Sequence, residues 1–381
     1  MSLGHDHDPK PVKQEKQPAS EEVVEVAPGV VRIQLPIMLP GLGHVNCYVL
    51  EDERGVALID PGLPSPDQFA RLEAGLASIG VPVSRVHTVV VTHSHPDHFG
   101  GAGRLRIMND ARVIAHRSFR TIFDPSDVDT LELLDAKAPI IDMDGFDPVN
   151  FSKYLLGEGD IPELPGRITP WGGELTFPTP VEIQAMRAWD DLTKLGFVSP
   201  QPTMRLDDAQ VVTLGRREWV AVHTPGHTGD HLCLWEPNDG ILFSGDHVLP
   251  TITPHISGLT KSQDSLADYL EALDKVAALP GVRHVLPAHG LEFTDLATRT
   301  EAIKRHHVER LDLLAEIAAK IGPADVVEYS HHLFQVRSWG SMAESETYAH
   351  LEHLRLLGEA SVTPDGSALR YEIRRPVPFT Q

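Results

Sequence analysis

The feature that most constrains how this chain folds is the segment VTHSHPDHFGG at residues 91–101. It places four metal-competent side chains within six positions: His93, His95, Asp97 and His98. The run TVVV before it is typical of a buried strand, and the glycine pair after it allows a tight turn into a helix. Imidazole and carboxylate groups suit zinc, manganese or iron. The segment therefore predicts a metal site at the end of a strand.

Three further candidate ligands occur in the same context, after an apolar run and beside a glycine. They are His227 in HTPGHTGDH, Asp246 in ILFSGDH and His289 in VLPAHG. A catalytic site with two metal ions, about 3.5–4 Å apart, needs more ligands than the histidine turn supplies. Because these residues follow strand-like runs, we expect them to complete a dinuclear site.

The rest of the chain predicts an α/β fold. Strand-like runs rich in Val and Ile dominate residues 29–116, and a similar block returns after residue 217. Helical segments are interleaved in both blocks. This repetition predicts two sheets packed face to face with helices outside, an αββα sandwich.

We expect three parts along the chain. Residues 1–22 are polar and lack a signal-peptide core, which predicts a disordered leader. Residues 23–297 hold the catalytic domain, and residues 298–381 form a C-terminal domain. A helical insertion at about 118–210 carries 17 acidic against 7 basic residues. We expect it to cap the site, the alternative being a peripheral decoration.

The C-terminal residues predict a helix, a short element, a second helix and two strands around a Pro-Asp-Gly turn, which is winged-helix-like. A DNA-binding version needs a basic second helix. This helix instead carries several acids against Arg355: Glu344, Glu346, Glu352 and Glu359. The composition favours packing within the chain or a homodimer.

Charge and cysteine content exclude other classes. The formal net charge of −21 repels polyanions and argues against a nucleic-acid partner. Only two cysteines, Cys47 and Cys233, are present, which predicts a reducing, cytoplasmic location. No apolar run is long enough to span a bilayer, so we expect no membrane partner.

The combination of HSHPDH with single His, Asp and His residues at strand ends resembles the metallo-β-lactamase fold superfamily. LIDPG, TPGHT and SGDH are similar to further motifs of that superfamily. The C-terminal segment resembles the winged-helix appendage of its beta-lactamase-like protein 2 type subgroup. The resemblance covers about residues 25–295 apart from the insertion, and implies the αββα fold and a metal-dependent hydrolase.

The resemblance also implies roles for individual residues. A first metal ion would be held by His93, His95 and His227, and a second by Asp97, His98 and His289. Asp246 would bridge the two ions, and Asp60 would accept hydrogen bonds that orient the histidine turn. Zinc is the expected metal, with manganese or iron as alternatives.

We expect the reaction to be hydrolysis of a small-molecule ester, thioester or lactone by a metal-bridging hydroxide. Asp97 would lie beside this nucleophile and steer its proton. His255, in ITPHIS shortly after Asp246, is a second candidate catalytic residue because it can reach the same pocket.

Three alternatives remain open. The winged-helix-like tail suggests a phosphodiesterase for single-stranded RNA, which the acidic composition opposes. A mononuclear iron sulfur dioxygenase would use His93, His227 and Asp246, but would not need the second ligand set. A regulator or scaffold without activity would be expected to have lost ligands, and none is lost.

Overall fold

The structure, a computed structural model, describes residues 13–39, 41–121, 169–172, 200–366 and 368–376. Two β-sheets of this part of the chain pack face to face, and helices cover their outer faces. The predicted αββα sandwich is confirmed. Most of the predicted insertion at about 118–210 lies outside the described residues, and its role as a cap stays a prediction.

The first sheet has seven strands within the described residues, paired in chain order. They are β1 (Val23–Ala27), β2 (Val30–Leu39), β3 (Leu42–Asp52), β4 (Gly55–Ile59), β5 (Val86–Val90), β6 (Arg112–His116) and β7 (Met204–Leu206). The first four form an antiparallel meander, whereas β4 to β7 run parallel. The almost fully buried β4 and β5 suit central parallel positions that are covered on both faces.

The second sheet has five strands in the described ranges, in the order β12-β11-β10-β9-β8. They are β8 (Val211–Leu214), β9 (Arg217–His223), β10 (Leu232–Glu236), β11 (Ile241–Gly245) and β12 (His284–Pro287). Neighbours from β8 to β11 are antiparallel, and β11 pairs parallel with β12. The carboxyl ends of β11 and β12 therefore lie at one edge of this sheet.

The core of the sandwich lies between the sheets. Phe243 of β11 contacts both the Trp219 ring (centroids 4.7 Å apart) and the Tyr48 ring (5.1 Å), and all three are buried. Three helices cover the first sheet: α1 (Pro66–Ser78), α2 (Pro96–Phe99) and α3 (Ala102–Asn109). Two cover the second: α4 (Ser265–Ala277) and α5 (Leu296–Ile321). Burial of large apolar side chains on both faces of each sheet stabilises this layering.

The C-terminal residues continue from α5 into five further elements. These are β13 (Ala324–Asp325), α6 (Val326–Leu333), α7 (Ser341–Leu356), β14 (Ala360–Asp365) and β15 (Ala368–Ile373). The predicted hairpin is present, since β14 pairs antiparallel with β15, which also pairs with β13. Side chains of α5, α7 and β15 share one apolar core with α4. The winged-helix interpretation and the domain boundary at 297/298 stay predictions.

The predicted disordered leader includes a segment that the structure shows to be packed. Glu15 is fully buried, and its carboxylate accepts hydrogen bonds from the backbone N–H groups of Thr251 (2.7 Å) and Ile252 (3.0 Å). A buried carboxylate requires such donors, so residues 13–22 are held against the sandwich rather than disordered. Residues 1–12 lie outside the described residues.

Among the helices that the structure describes, none combines the length and apolar character needed to cross a bilayer.

Candidate metal centre

The histidine turn connects β5 to α2 at the carboxyl edge of the first sheet. Asp60, directly after the neighbouring β4, holds this turn. Its carboxylate accepts hydrogen bonds from the backbone N–H (2.8 Å) and hydroxyl (2.7 Å) of Thr92, and from Nδ1 of His98 (2.8 Å). Asp60 itself has a φ of 53°, a left-handed conformation that is uncommon outside glycine. The local backbone is thus shaped to present this carboxylate to the turn.

Four of the predicted ligands form a first group, in which the potential metal-binding atoms all lie within 4.8 Å of one another: His93, His95, His227 and Asp246. Nδ1 of His95 lies 2.9 Å from Nε2 of His93 and 3.1 Å from Nε2 of His227. Three imidazole nitrogens from two different sheets therefore converge on one point.

The other three predicted ligands form a second group, whose potential metal-binding atoms also all lie within 4.8 Å of one another: Asp97, His98 and His289. Oδ2 of Asp97 lies 3.5 Å from Nε2 of His98 and 3.6 Å from Nε2 of His289. The histidine turn and α2 supply the first two residues, and the end of β12 supplies the third. This group also joins the edges of both sheets.

The Asp246 carboxylate faces both groups. Its Oδ2 lies 3.5 Å from Nε2 of His227 and 3.7 Å from Nε2 of His98, and its Oδ1 lies 3.2 Å from Nε2 of His289. Asp246 comes directly after β11, the strand between the elements that carry His227 and His289. Its position between the groups is the one that a shared carboxylate requires.

Unsatisfied polar atoms at this edge fit a bound metal. Oδ1 of Asp246 and the Nε2 atoms of His98 and His289 are buried, and none of them makes a well-oriented hydrogen bond within the described residues, although Oδ1 of Asp246 lies 3.2 Å from Nε2 of His289. Buried polar atoms are rarely left without a partner. A divalent cation would satisfy all three, and nitrogen and oxygen donors of this kind suit zinc, manganese or iron.

The opposite nitrogen of several imidazoles is fixed by a hydrogen bond. Nδ1 of His227 donates to the His255 carbonyl (2.7 Å), and Nδ1 of His289 donates to the His44 carbonyl (2.6 Å). Nδ1 of His98 is bonded to Asp60 in the same way. These bonds place the imidazole proton on Nδ1 and leave the lone pair of Nε2 free to bind a metal ion, as ligating histidines require.

Burial and neighbouring charges set the protonation of the site. Burial, reinforced by the neighbouring imidazoles, lowers the pKa of His93 and His95 well below the ordinary value. Burial also lowers the pKa of His98, but nearby carboxylates, Asp97 first, outweigh it and raise this pKa to about 10. Neutral imidazoles offer a lone pair to a metal, whereas a proton on His98 competes with one.

His255, the other predicted catalytic residue, lies at the rim of the first group. Its carbonyl accepts the hydrogen bond from His227, and its Nδ1 lies 3.3 Å from Oε2 of Glu346 in α7. A positive charge on this ring would lower the pKa of both His95 and His227. The structure therefore brings the His255 imidazole close to the group without making it a member.

Sequence reasoning missed two residues of this region. Glu346 pairs with Arg310 of α5 as well as with His255, and only packing of the C-terminal helices brings these residues together.

The second residue, His231, is buried. It accepts a hydrogen bond from the Asp246 N–H (3.0 Å) and contacts the Thr224 hydroxyl (2.7 Å). His231 is the last histidine of HTPGHTGDH, the same motif that contains His227, and this proximity was the signal that could have identified it.

Comparison with known proteins agrees with this geometry. "Probable metallo-hydrolase YqjP" of Bacillus subtilis is 25% identical over 344 residues, which cover 85% of this chain and 92% of that protein. A crystal structure of a metallo-beta-lactamase family protein from Thermus thermophilus superposes with a TM-score of 0.67 at 27% identity, covering 92% of this chain and all of the other.

A shorter match relates the chain to the human "Acyl-coenzyme A thioesterase MBLAC2". The two are 36% identical over 92 residues, which is 23% of this chain and 32% of that protein. Residues 40–289, which include all seven predicted ligands, match the family described as the metallo-beta-lactamase superfamily. The chain belongs to the metallo-beta-lactamase superfamily and is a metal-dependent hydrolase.

Proposed function

We propose that the chain is a dinuclear metal hydrolase that cleaves a small-molecule acyl ester, thioester or lactone, with a thioester as the preferred substrate. The observation that supports two ions rather than one is the Asp246 carboxylate. Oδ2 of Asp246 approaches ligands of both groups, while its buried Oδ1 makes no well-oriented hydrogen bond among the described residues.

Zinc is the metal that we propose, with His93, His95 and His227 on one ion, Asp97, His98 and His289 on the other, and Asp246 on both. Two such ions would lower the pKa of a bound water to near neutrality and polarise the substrate carbonyl. Asp60 keeps the histidine turn and His98 in place through its three hydrogen bonds.

The residues of the chain would direct the protons. Hydrolysis adds the hydroxyl of water to the acyl carbon, breaks the carbon–sulfur bond and passes the remaining proton to the leaving thiolate. Asp97, next to His98 and His289, would orient the attacking water. His255 would hydrogen-bond the leaving group, because its ring lies at the rim of the first group with Nδ1 engaged by Glu346.

The choice of a thioester is supported by the similarity to the acyl-coenzyme A thioesterase, and the net charge of −21 disfavours a nucleic-acid substrate. We further propose a cytoplasmic protein, since Cys47 and Cys233 are both buried and free. A homodimer remains our proposal for the assembly.

The test is a substrate panel with zinc-reconstituted protein: acyl thioesters, aryl esters, lactones and a single-stranded RNA. The Asp97→Ala variant serves as the control. The proposal predicts thioester cleavage that the variant loses. RNA cleavage alone would favour the single-stranded RNA phosphodiesterase instead. One iron per chain with oxygen uptake in the presence of a persulfide would favour the sulfur dioxygenase. No turnover with any substrate would favour a regulator or scaffold.

A further inference from the structure

A cavity of about 380 Å³ lies between α7 and the loop that follows His255. The loop contributes Lys261 and Ser262 to its lining, and α7 contributes Tyr348, Glu352 and Arg355. Cations, hydroxyl groups and a carboxylate thus face the cavity from opposite walls. Such a lining fits a polar, charged ligand rather than an apolar chain.

Helix α7 lines the cavity and also contacts His255, which lies beside the candidate metal centre. Glu346 of this helix contacts the His255 imidazole (3.3 Å), and the Ser345 hydroxyl accepts a hydrogen bond from the Gly258 N–H (2.9 Å). Because an α-helix rises 1.5 Å per residue, Arg355 lies about 13 Å further along α7 than Glu346. The part of α7 that lines the cavity therefore begins at Tyr348, within one helical turn of Glu346, and reaches Arg355.

Charge in the cavity favours an anion. Lys261 is exposed, and its pKa is lowered by partial burial and by the charge of Arg120. Arg120 follows β6 on the same sheet edge as the ligand residues. Within the described part of the chain, Lys261 thus adds positive charge near this edge, although the net charge of the protein is −21.

The carboxylate in the cavity is already neutralised. Glu352 accepts hydrogen bonds from Nε and Nη2 of Arg355 (2.9 and 2.7 Å) and from the Tyr371 hydroxyl (2.6 Å). Arg355 is itself paired with Glu352, and its Nη1 atom makes no hydrogen bond to a described residue. A guanidinium fixed in this manner is well suited to phosphate.

We propose that this cavity binds a phosphate carried by the leaving group of the substrate, with Lys261 and Arg355 as its cationic contacts. The inference rests on the proposed thioester hydrolase, and it specifies a thiol joined to a phosphate by a polar arm, as in phosphopantetheine. The arm would extend along α7 past the Tyr348 and Ser262 hydroxyl groups, while the acyl carbon lies at the metal ligands.

The experiment compares acetyl-pantetheine with acetyl-phosphopantetheine, which differ only in the phosphate, using zinc-reconstituted full-length protein. We expect a KM about tenfold lower for the phosphorylated thioester, in line with one or two charge-assisted hydrogen bonds. Lys261→Gln should remove most of this difference in KM. Arms with acetyl-coenzyme A and with an acetylated carrier protein then identify the source of the phosphate.

Lys304→Gln is the matched control, because Lys304 is paired with Asp274 elsewhere on the surface and its loss changes the net charge equally. Calorimetry with phosphopantetheine and metal-free protein measures the cavity independently of turnover. Weaker binding of phosphopantetheine to the Lys261→Gln variant than to the unchanged protein supports the inference. If no thioester is cleaved while this difference in binding is seen, the proposed function is wrong but the binding site is retained. Equal binding to both proteins, or thioester hydrolysis with no preference for phosphate, overturns the inference.

Discussion

Two regions of the molecule bury several histidines, and only one of them resembles a metal site. At the carboxyl edge of the sheets, imidazole nitrogens and carboxylate oxygens converge from different strands into two groups. Within the C-terminal helices, His307 and His350 are fully buried and contact each other (Nδ1 to Nε2, 3.1 Å), but they join no such group in the described part of the chain. Buried imidazoles therefore make a metal site when carboxylates meet them at strand ends, not through burial alone.

The largest effect that this comparison predicts comes from removing the carboxylate shared by the two groups. Asp246→Ala should lower kcat/KM for a thioester by on the order of a thousandfold or more, because the metal-activated nucleophile is lost. Asp274→Ala, which removes an exposed carboxylate on α4, is the matched control and should have no effect. Steady-state kinetics with zinc-loaded proteins provide the measurement. A loss of less than about tenfold in Asp246→Ala would show that the shared carboxylate is dispensable.

A smaller effect is expected from the residue that holds the histidine turn. Asp60→Asn weakens the hydrogen bonds to Thr92 and His98, and should lower zinc affinity by about 10- to 100-fold. Asp52→Asn at the end of β3 is a suitable control, since Asp52 bonds to His87 and Arg54 outside the two ligand groups. Zinc competition with a chromophoric chelator measures the affinity without using turnover. Equal affinities in the two variants would mean that Asp60 only stabilises the fold.

The smallest predicted effect concerns the C-terminal histidines. Burial lowers the pKa of His307 to about 2 and that of His350 to about 4, and the charge of Glu346 opposes both shifts without cancelling them. Their folded-state pKa values lie below the unfolded value of about 6.5, so the unfolded chain binds more protons as the pH falls. The stability that neutral His350 contributes is present above about pH 6.5 and is lost toward pH 4, at up to about 1.4 kcal/mol per pH unit.

Denaturant unfolding of metal-free protein between about pH 7 and pH 4.5 tests this pH dependence. His350→Gln should unfold with a free energy that falls less steeply with pH than that of the unchanged chain. His331→Gln, on the shorter helix α6, replaces an exposed histidine and should keep the original slope. Identical slopes in all three proteins would contradict a buried, neutral His350.

The sequence was sufficient to predict the αββα sandwich and to select the seven residues that the structure brings together. Each of these residues follows a strand, and the carboxyl ends of neighbouring strands meet at one edge of the sandwich. Short motifs at strand ends are therefore sufficient to identify the residues that come together there. The role of Asp60 was implied by the resemblance of LIDPG to a superfamily motif, and the structure places this residue directly after β4.

Contacts made through long-range packing were not predictable. Glu346 reaches His255 from 91 positions further along the chain, and its pairing with Arg310 depends on how α5 and α7 pack. Glu15 was placed in a disordered leader because its neighbours are polar, yet backbone N–H groups after residue 250 satisfy its carboxylate. The polar composition of a segment predicts that it is exposed to water. It does not reveal whether a distant loop supplies hydrogen-bond donors that allow one of its carboxylates to be buried.

We propose that this edge of the sandwich holds two metal ions, one at each group. The most direct measurement is zinc content per chain, by native mass spectrometry after reconstitution, in the unchanged protein and in His289→Ala. We predict two zinc ions in the unchanged protein and one in the variant, because the first group keeps all four of its side chains. One zinc ion in both proteins would contradict the claim, since the second group would then hold no metal.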